Sequence, residues 1–268
     1  MRKLLLLLLL TASSTLSAID LKVDMGTGFY YTGAEGKIDY VGETFKNSYA
    51  ATDLTTNANF YIWADIETPY WFLPILRFEY LKISTDGDSM AHLESDIDMV
   101  QAIIDLLAEA GLNNTNWNSH LQHNVYDMIA YYEFFEDSGW PSVGVGAGYR
   151  YFDYIYILDI DLLGYSTGIQ FGDRDSTNAP MVYLHSRYEM PSVNLGFEVN
   201  GKGYFSDSTL YDWDARLDLS FDVDKNTRAG FEFGFREQYY LLAGGDVENV
   251  KGDMHYKGVF VGARLEFK

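Results

Sequence analysis

The sequence predicts an all-β fold, an antiparallel up-and-down transmembrane β-barrel of about ten strands, with eight and twelve as the neighbouring even counts. Three observations lead there: long strands that alternate strictly between apolar and polar residues, connections that alternate between short and long, and an export signal at the front of the chain. Strict alternation is the period of a strand whose two faces meet different surroundings. Strands that face lipid outside and a polar lumen inside need about 9–11 residues to cross a bilayer, longer than the ~5–6 usual in soluble sheets.

The chain opens with Arg2 and Lys3, an unbroken apolar run over Leu4–Leu10, and the small polar exit "TASSTLSA". This is the order of a cleavable secretory signal, with cleavage expected after Ala18 and Ser17 as the second site. Residues 1–18 are thus read as signal peptide and 19–268 as one barrel domain. Seven leucines fall far short of the ~20 residues of a helical anchor. Removing Arg2 and Lys3 leaves 17 of the 19 Lys and Arg against 39 Asp and Glu, a net charge of −22. So acidic a chain excludes nucleic acid as a partner class. The absence of Cys removes disulfides and thiolate metal sites.

The strands follow in order. Residues 20–31 set Leu21, Val23, Met25 and Phe29 against Lys22, Asp24, Gly26 and Gly28. In 57–67, Phe60 and Ile62 oppose Tyr61, Trp63 and Asp65. In 75–84, Leu76, Phe78 and Tyr80 oppose Arg77 and Glu79. Residues 124–135 set Tyr126, Met128 and Tyr132 against Asp127 and Glu133, and 142–153 set Val143, Val145, Tyr149 and Tyr151 against glycines and Arg150. Then Val182 and Leu184 oppose His185 and Arg187; Leu195 and Phe197 oppose Glu198; and Phe231, Phe233 and Phe235 oppose Glu232 and Arg236. The clearest run, "TLYDWDARLDLSFDV" (209–223), sets Tyr211, Trp213, Leu217, Leu219 and Phe221 against Asp212, Asp214, Arg216, Asp218 and Asp222. The last strand sets Val259, Val261 and Leu265 against Arg264 and Glu266. The charged lumen is therefore read as Arg77, Glu79, Arg150, Arg187, Glu198, Asp212, Arg216, Asp218, Glu232, Arg236, Arg264 and Glu266.

Connections 68–74, 136–141, 190–192 and 222–227 are short; 32–56, 85–123, 154–179 and 242–251 are long. Short turns belong on the periplasmic side and long loops outside, which places both termini in the periplasm. Residues 154–171 read as an extension of the barrel above the membrane. Loop 85–123 carries the one helical pattern, an apolar stripe of Leu93, Ile97, Val100, Ile104 and Leu107 with Gly111 as C-cap, so a helix over 93–111 is expected there.

The segments "NFYIW" (59–63), "PILRFEY" (74–80), "GYRYFD" (148–153), "STLYDW" (208–213), "RAGFEFGFREQ" (228–238) and "YKGVFVGARLEF" (256–267) resemble an uncharacterised family of small outer-membrane β-barrel proteins of Gram-negative bacteria. The resemblance implies a location in the bacterial outer membrane and a barrel fold, and supplies no catalytic residues. The aromatic Phe267 beside the C-terminus resembles the signal that barrel-assembly machinery recognises, with Lys268 departing from a terminal aromatic.

No nucleophile or metal signature stands out. His120 and His123 read as surface-loop residues and His185 as a hydrogen-bonded lumen residue. His255 with Asp253 falls near the outer rim, and "GDRDSTN" (172–178) reads as an acidic loop lacking the glycine and terminal glutamate of a calcium loop. The expected protein is an integral outer-membrane barrel with a structural or small-ligand-binding role and a largely plugged charged lumen. It is not an enzyme, takes no cofactor or metal, and is a monomer whose partners are membrane lipid and the assembly machinery. A narrow solute channel and a rim-located enzyme acting on lipid or peptide are the alternatives.

Overall fold

The computed structural model describes residues 21–41, 46–51, 57–94, 109, 117–135, 140–162, 165–205, 209–242 and 250–267. These form β1 (Lys22–Val41), β2 (Lys46–Ala51), β3 (Asn57–Glu67), β4 (Ile75–Glu94), β5 (Trp117–Phe134), β6 (Ser142–Leu162), β7 (Tyr165–Met190), β8 (Leu195–Phe205), β9 (Thr209–Asp222), β10 (Thr227–Leu242) and β11 (Val250–Phe267). Every pairing is antiparallel between neighbours in the wall, and β11 returns to β1 to close the sheet. β2 and β3 occupy one position in the wall. β1 pairs with β3 over Lys22–Thr32 and with β2 over Gly36–Val41, and β4 pairs with the same two strands from the other side. Eleven strands thus make a ten-position up-and-down barrel.

The start of β1 and the end of β11 lie with the short connections: Val23 pairs with Phe267, and Phe267 with Thr227. The β7–β8 connection is a single 3-10 turn (Pro191–Val193) followed by Asn194 at φ 54°. Asn tolerates this left-handed conformation better than most residues. At the other end the wall is uneven. β6 and β7 run to 21 and 26 residues, while β8 has 11 and β9 has 14. The 154–171 segment is therefore an extension of two existing strands, and no further pair is added.

The outer face carries a lipid-facing belt. On β11, Val259, Val261 and Leu265 point outward and are exposed, alternating with buried Phe260, Arg264 and Glu266. The nine residues from Val259 to Phe267 match the length needed to cross a bilayer. Aromatic rings bound the belt at both ends. Tyr80, Tyr126 and Tyr151 lie side by side at the outer end, with centroids 4.9 and 5.9 Å apart. At the turn end Trp71 is 91% exposed and Trp140 76%. In water such exposure is costly, whereas at a membrane interface it is where amphipathic rings reside.

Three expectations need correction. Loop 85–123 is shorter than expected, because β4 continues to Glu94 and β5 begins at Trp117. Leu93, the first member of the expected helical stripe, is strand; apart from Leu93, Glu94 and Glu109, the 93–111 helix lies outside the described residues. Residues 172–178 belong to β7, so Asp173 and Asp175 sit on a strand and not in an acidic loop. Likewise, much of 32–56 is strand in β1 and β2. The reason is common to all three: strand pairing continues past the belt, along stretches where the sequence no longer alternates between apolar and polar residues. The signal expected over 1–18 lies outside the described residues.

Leu217 points into the belt between Phe197 and Phe233, its partners on β8 and β10. Leu217→Arg should destabilise the folded barrel by about 2–4 kcal/mol if it lies near the midplane, measured by denaturant unfolding in lipid vesicles. Asp222→Arg, at the exposed turn end of the same strand, should lie within about 0.5 kcal/mol of the parent. Equal effects from the two would contradict the facing assignment.

Candidate functional site: the barrel interior

Eleven of the twelve charged residues read as lumen-facing are buried, and the twelfth, Arg187, keeps 12% of its side chain exposed. They come together in a connected network. Arg150 meets Asp127 through two hydrogen bonds of 2.6 Å and donates to Asp212 and the Tyr240 hydroxyl. Arg236 binds the same Asp212 at 2.9 and 2.6 Å. Arg77 reaches Asp65 at 2.8 Å, Glu79 at 3.5 Å and Glu198 at 3.8 Å. Arg216 takes Asp214 at 2.8 Å and Glu232 at 3.3 Å.

Toward the turn end, Arg187 pairs with Glu189, Glu198 and Asp218, and Arg264 with Asp218 and Asp24. Glu266 is held by Arg228 at 3.3 Å. Each of the interior arginines named here faces two or more carboxylates. That arrangement is what removal from water demands, since an unpaired interior charge costs several kcal/mol.

Aromatic side chains complete the packing. Trp63 lies between the guanidinium groups of Arg77 and Arg216, whose carbons sit 4.9 and 5.1 Å from its ring, and its Nε1 donates to Glu232 at 3.1 Å. Tyr61 donates to the same carboxylate at 2.7 Å. Cation–π contacts of this kind strengthen when water is excluded. Gly26 makes the space: a Cβ there would collide with the Trp63 indole. Outward of the ionic layer sits an apolar one, with Tyr30, Leu81, Ile83, Val125, Phe152, Tyr240, Tyr256 and Phe260 in one buried cluster. On the turn side the interior opens into a cavity of about 500 Å³ edged by charged groups including Asp24, Glu133, Arg187 and Arg264.

Several members of the network were absent from the sequence-derived set. Lys202 contacts Glu79 and Asp127; continuing the period of two from Glu198 and Asn200 would have found it. Asp127 and Asp65 lay on the polar side of their strands, and Asp214 sits among the alternating charges of β9. Glycines 144, 146 and 148 stand on the same face of β6 as Arg150, where bulk from the neighbouring strands comes close. Tyr131 lies against Gly144 and Gly146, and His185 against Gly144.

The histidines divide. His185 is buried with Nδ1 2.9 Å from Asn200 Oδ1, as a hydrogen-bonded lumen residue should be. His123 is not a surface-loop residue: it is fully buried on β5, with the rings of Tyr240, Phe152 and Tyr256 at 4.9, 5.6 and 5.9 Å. His120 also lies on β5. His255 faces outward and sits 2.7 Å from Glu237. Among the described residues no group of three or more His, Asp or Glu is arranged to hold a metal.

No family model matches the chain, and no curated protein matches it. Among solved structures it is similar to the outer-membrane protease OmpT from Escherichia coli, at 10% identity over 92% of this chain and 96% of that one, with a TM-score of 0.52. A FadL homologue from Pseudomonas aeruginosa matches at 8% identity over 92% and 90% of the two chains, TM-score 0.35. A major outer membrane protein from Thermus thermophilus matches at 12% identity over 92% and 99%, TM-score 0.35. The OmpT likeness shows the fold alone. Together with the lipid-facing belt, it defines the class: an outer-membrane β-barrel.

Arg150→Met leaves Asp127 and Asp212 short of a partner inside a dry layer and should destabilise by about 3–5 kcal/mol. Adding Asp127→Asn should recover part of that loss, with a coupling energy of about 0.5–3 kcal/mol in a double-mutant cycle. Strict additivity of the two changes would mean that the pair does not interact.

Proposed function

We propose that the protein is an integral outer-membrane barrel whose interior is a solid ionic and aromatic plug, with a structural or small-ligand-binding role and no transport or catalysis. One observation carries this reading. Arg77 and Arg150 are fully buried in the ionic layer, and Ile83, Tyr183 and His123 are fully buried beside it. Open aqueous pores belong to barrels of ~16–18 strands, whereas a small bore is filled by its own side chains. Nothing in the OmpT likeness beyond the fold transfers to this chain. Insertion through the barrel-assembly machinery by the C-terminal strand, and a monomeric state, belong to the same proposal.

Planar-bilayer recording tests it. The parent should give no large, steady conductance. Arg216→Ala combined with Arg236→Ala removes two cations that tie β9 and β10 to the plug and should admit small ions. Stable unitary conductance of the unmodified protein would overturn the plug, and its acidic lumen would then favour cations.

A further inference from the structure

The outer wall of β8–β11 differs from the rest of the belt. Pairing stacks its outward residues in rungs: Phe197, Leu217, Phe233 and Val261; then Val199, Ala215, Phe235 and Val259; then Gly201, Trp213, Glu237 and Lys257; then Gly203, Tyr211, Tyr239 and His255. Small residues form a diagonal through these rungs. Ala215 sits in a depression of about 480 Å³ walled by Phe197, Leu217, Phe233, Phe235 and Val259. One rung outward, the missing side chain of Gly201 opens onto empty space, with nothing within 4 Å of where a Cβ would be. The trough over Ala215 lies within the apolar belt, and Gly201 stands one rung farther out, where the belt gives way to charge.

That end has its own chemistry. Trp213 is 37% exposed. The rings of Tyr211 and Tyr239 stack at 5.1 Å and 22°. Glu237 is already engaged, by Tyr211 at 3.4 Å and His255 at 2.7 Å, and Tyr239 is bonded to Asp253. Lys257, exposed and directly opposite Glu237 in the pairing of β10 with β11, adds a cation at the edge of the belt. An apolar trough, flat aromatic faces and a lysine, in that order from the membrane outward, match the order of parts in an amphiphile with an acyl chain, a sugar ring and a phosphate. Aromatic faces and vacant glycine positions suit a ring, and an ammonium at the interface attracts a phosphate.

We infer that this face is a binding site for one acylated phosphosugar lipid of the outer leaflet. One acyl chain lies over Ala215, the sugar lies against Trp213 and Tyr211, and the phosphate meets Lys257. The inference rests on the outer-membrane reading and not on the plugged lumen.

Native mass spectrometry of the detergent-solubilised mature chain tests it, with three probes: a bis-phosphorylated acylated glucosamine disaccharide, its dephosphorylated form, and phosphatidylglycerol. The parent should carry one copy of the first in preference to the other two. Ala215→Phe fills the depression and should abolish the adduct. Lys257→Gln should keep an adduct but lose the preference for the phosphorylated form. Ala130→Phe, outward on β5 across the barrel, should bind as the parent does. The heat-dependent gel shift of a folded barrel is read for every variant, so loss of the barrel itself is separated from loss of the site. Undiminished binding by folded Ala215→Phe, equal loss in Ala130→Phe, or a parent preference for phosphatidylglycerol would each overturn the assignment.

Discussion

Everything in this molecule follows from fixed charges enclosed in a narrow bore. Moving an ion from water into a low-dielectric interior costs several kcal/mol even after relaxation, and attraction between opposite charges offsets this only with good geometry and further hydrogen bonds. The barrel meets that condition by sharing. Asp212 accepts from Arg150, Arg236 and Gln238, and Glu198 lies between Arg77, Arg187 and Arg216. Arginine suits such a lattice because its planar fork satisfies two carboxylates at once, where the ammonium of Lys202 acts as a point charge. Because the partners come from strands on different sides of the barrel, the lattice also ties the wall together across its interior.

A lattice of long side chains needs somewhere to stand, and the wall provides it by alternation of size as well as polarity. Large residues on β3 and β10 point inward where β1 and β11 present bare backbone. Gly26 borders Trp63 and Glu232, and Gly262 borders the Tyr61 hydroxyl at the closing seam. Outward positions of the same strands hold Phe29, Val259 and Val261, all exposed to the lipid side. One strand thereby serves two solvents, with bulk on the lipid face and vacancy on the lumen face. The glycines are packing devices, and no backbone strain is involved at either position.

How much of this could be read in advance depended on where the alternation survives. Through the belt, a single period of two separates Leu217 from Asp218 and Phe233 from Glu232, so strand identity, facing and even count were all legible. Outside the belt the alternation of apolar and polar residues fades from the sequence while β6 and β7 go on pairing, so long strands looked like loops. Partners across the lumen were also hidden. Alternation gives the side of a residue but not its depth, and the depth at which Arg77 meets Glu198 is set by stagger around the closed barrel. His123 was missed for a related reason: it continues the inward series of Val125, Asp127 and Ile129 but lies beyond the last charged residue that made the pattern visible.

Among the described residues the ionic layer and the aromatic cluster fill much of the interior, and beyond them lie the cavity at the turn end and the outer wall. The outer wall is not uniform. On β4–β6 the aromatic ring closes tightly, Tyr80 against Tyr126 and Tyr126 against Tyr151. On β8–β11 the corresponding level is interrupted by Gly201 and Gly203 and bordered by Glu237, His255 and Lys257. It is also the side where β8 and β9, at 11 and 14 residues, are shorter than β6 and β7. Charge pairing is thus concentrated inside the barrel while the outer wall varies around its circumference, whereas an open pore needs a lumen free of such cross-links and a lipid face that need only be apolar.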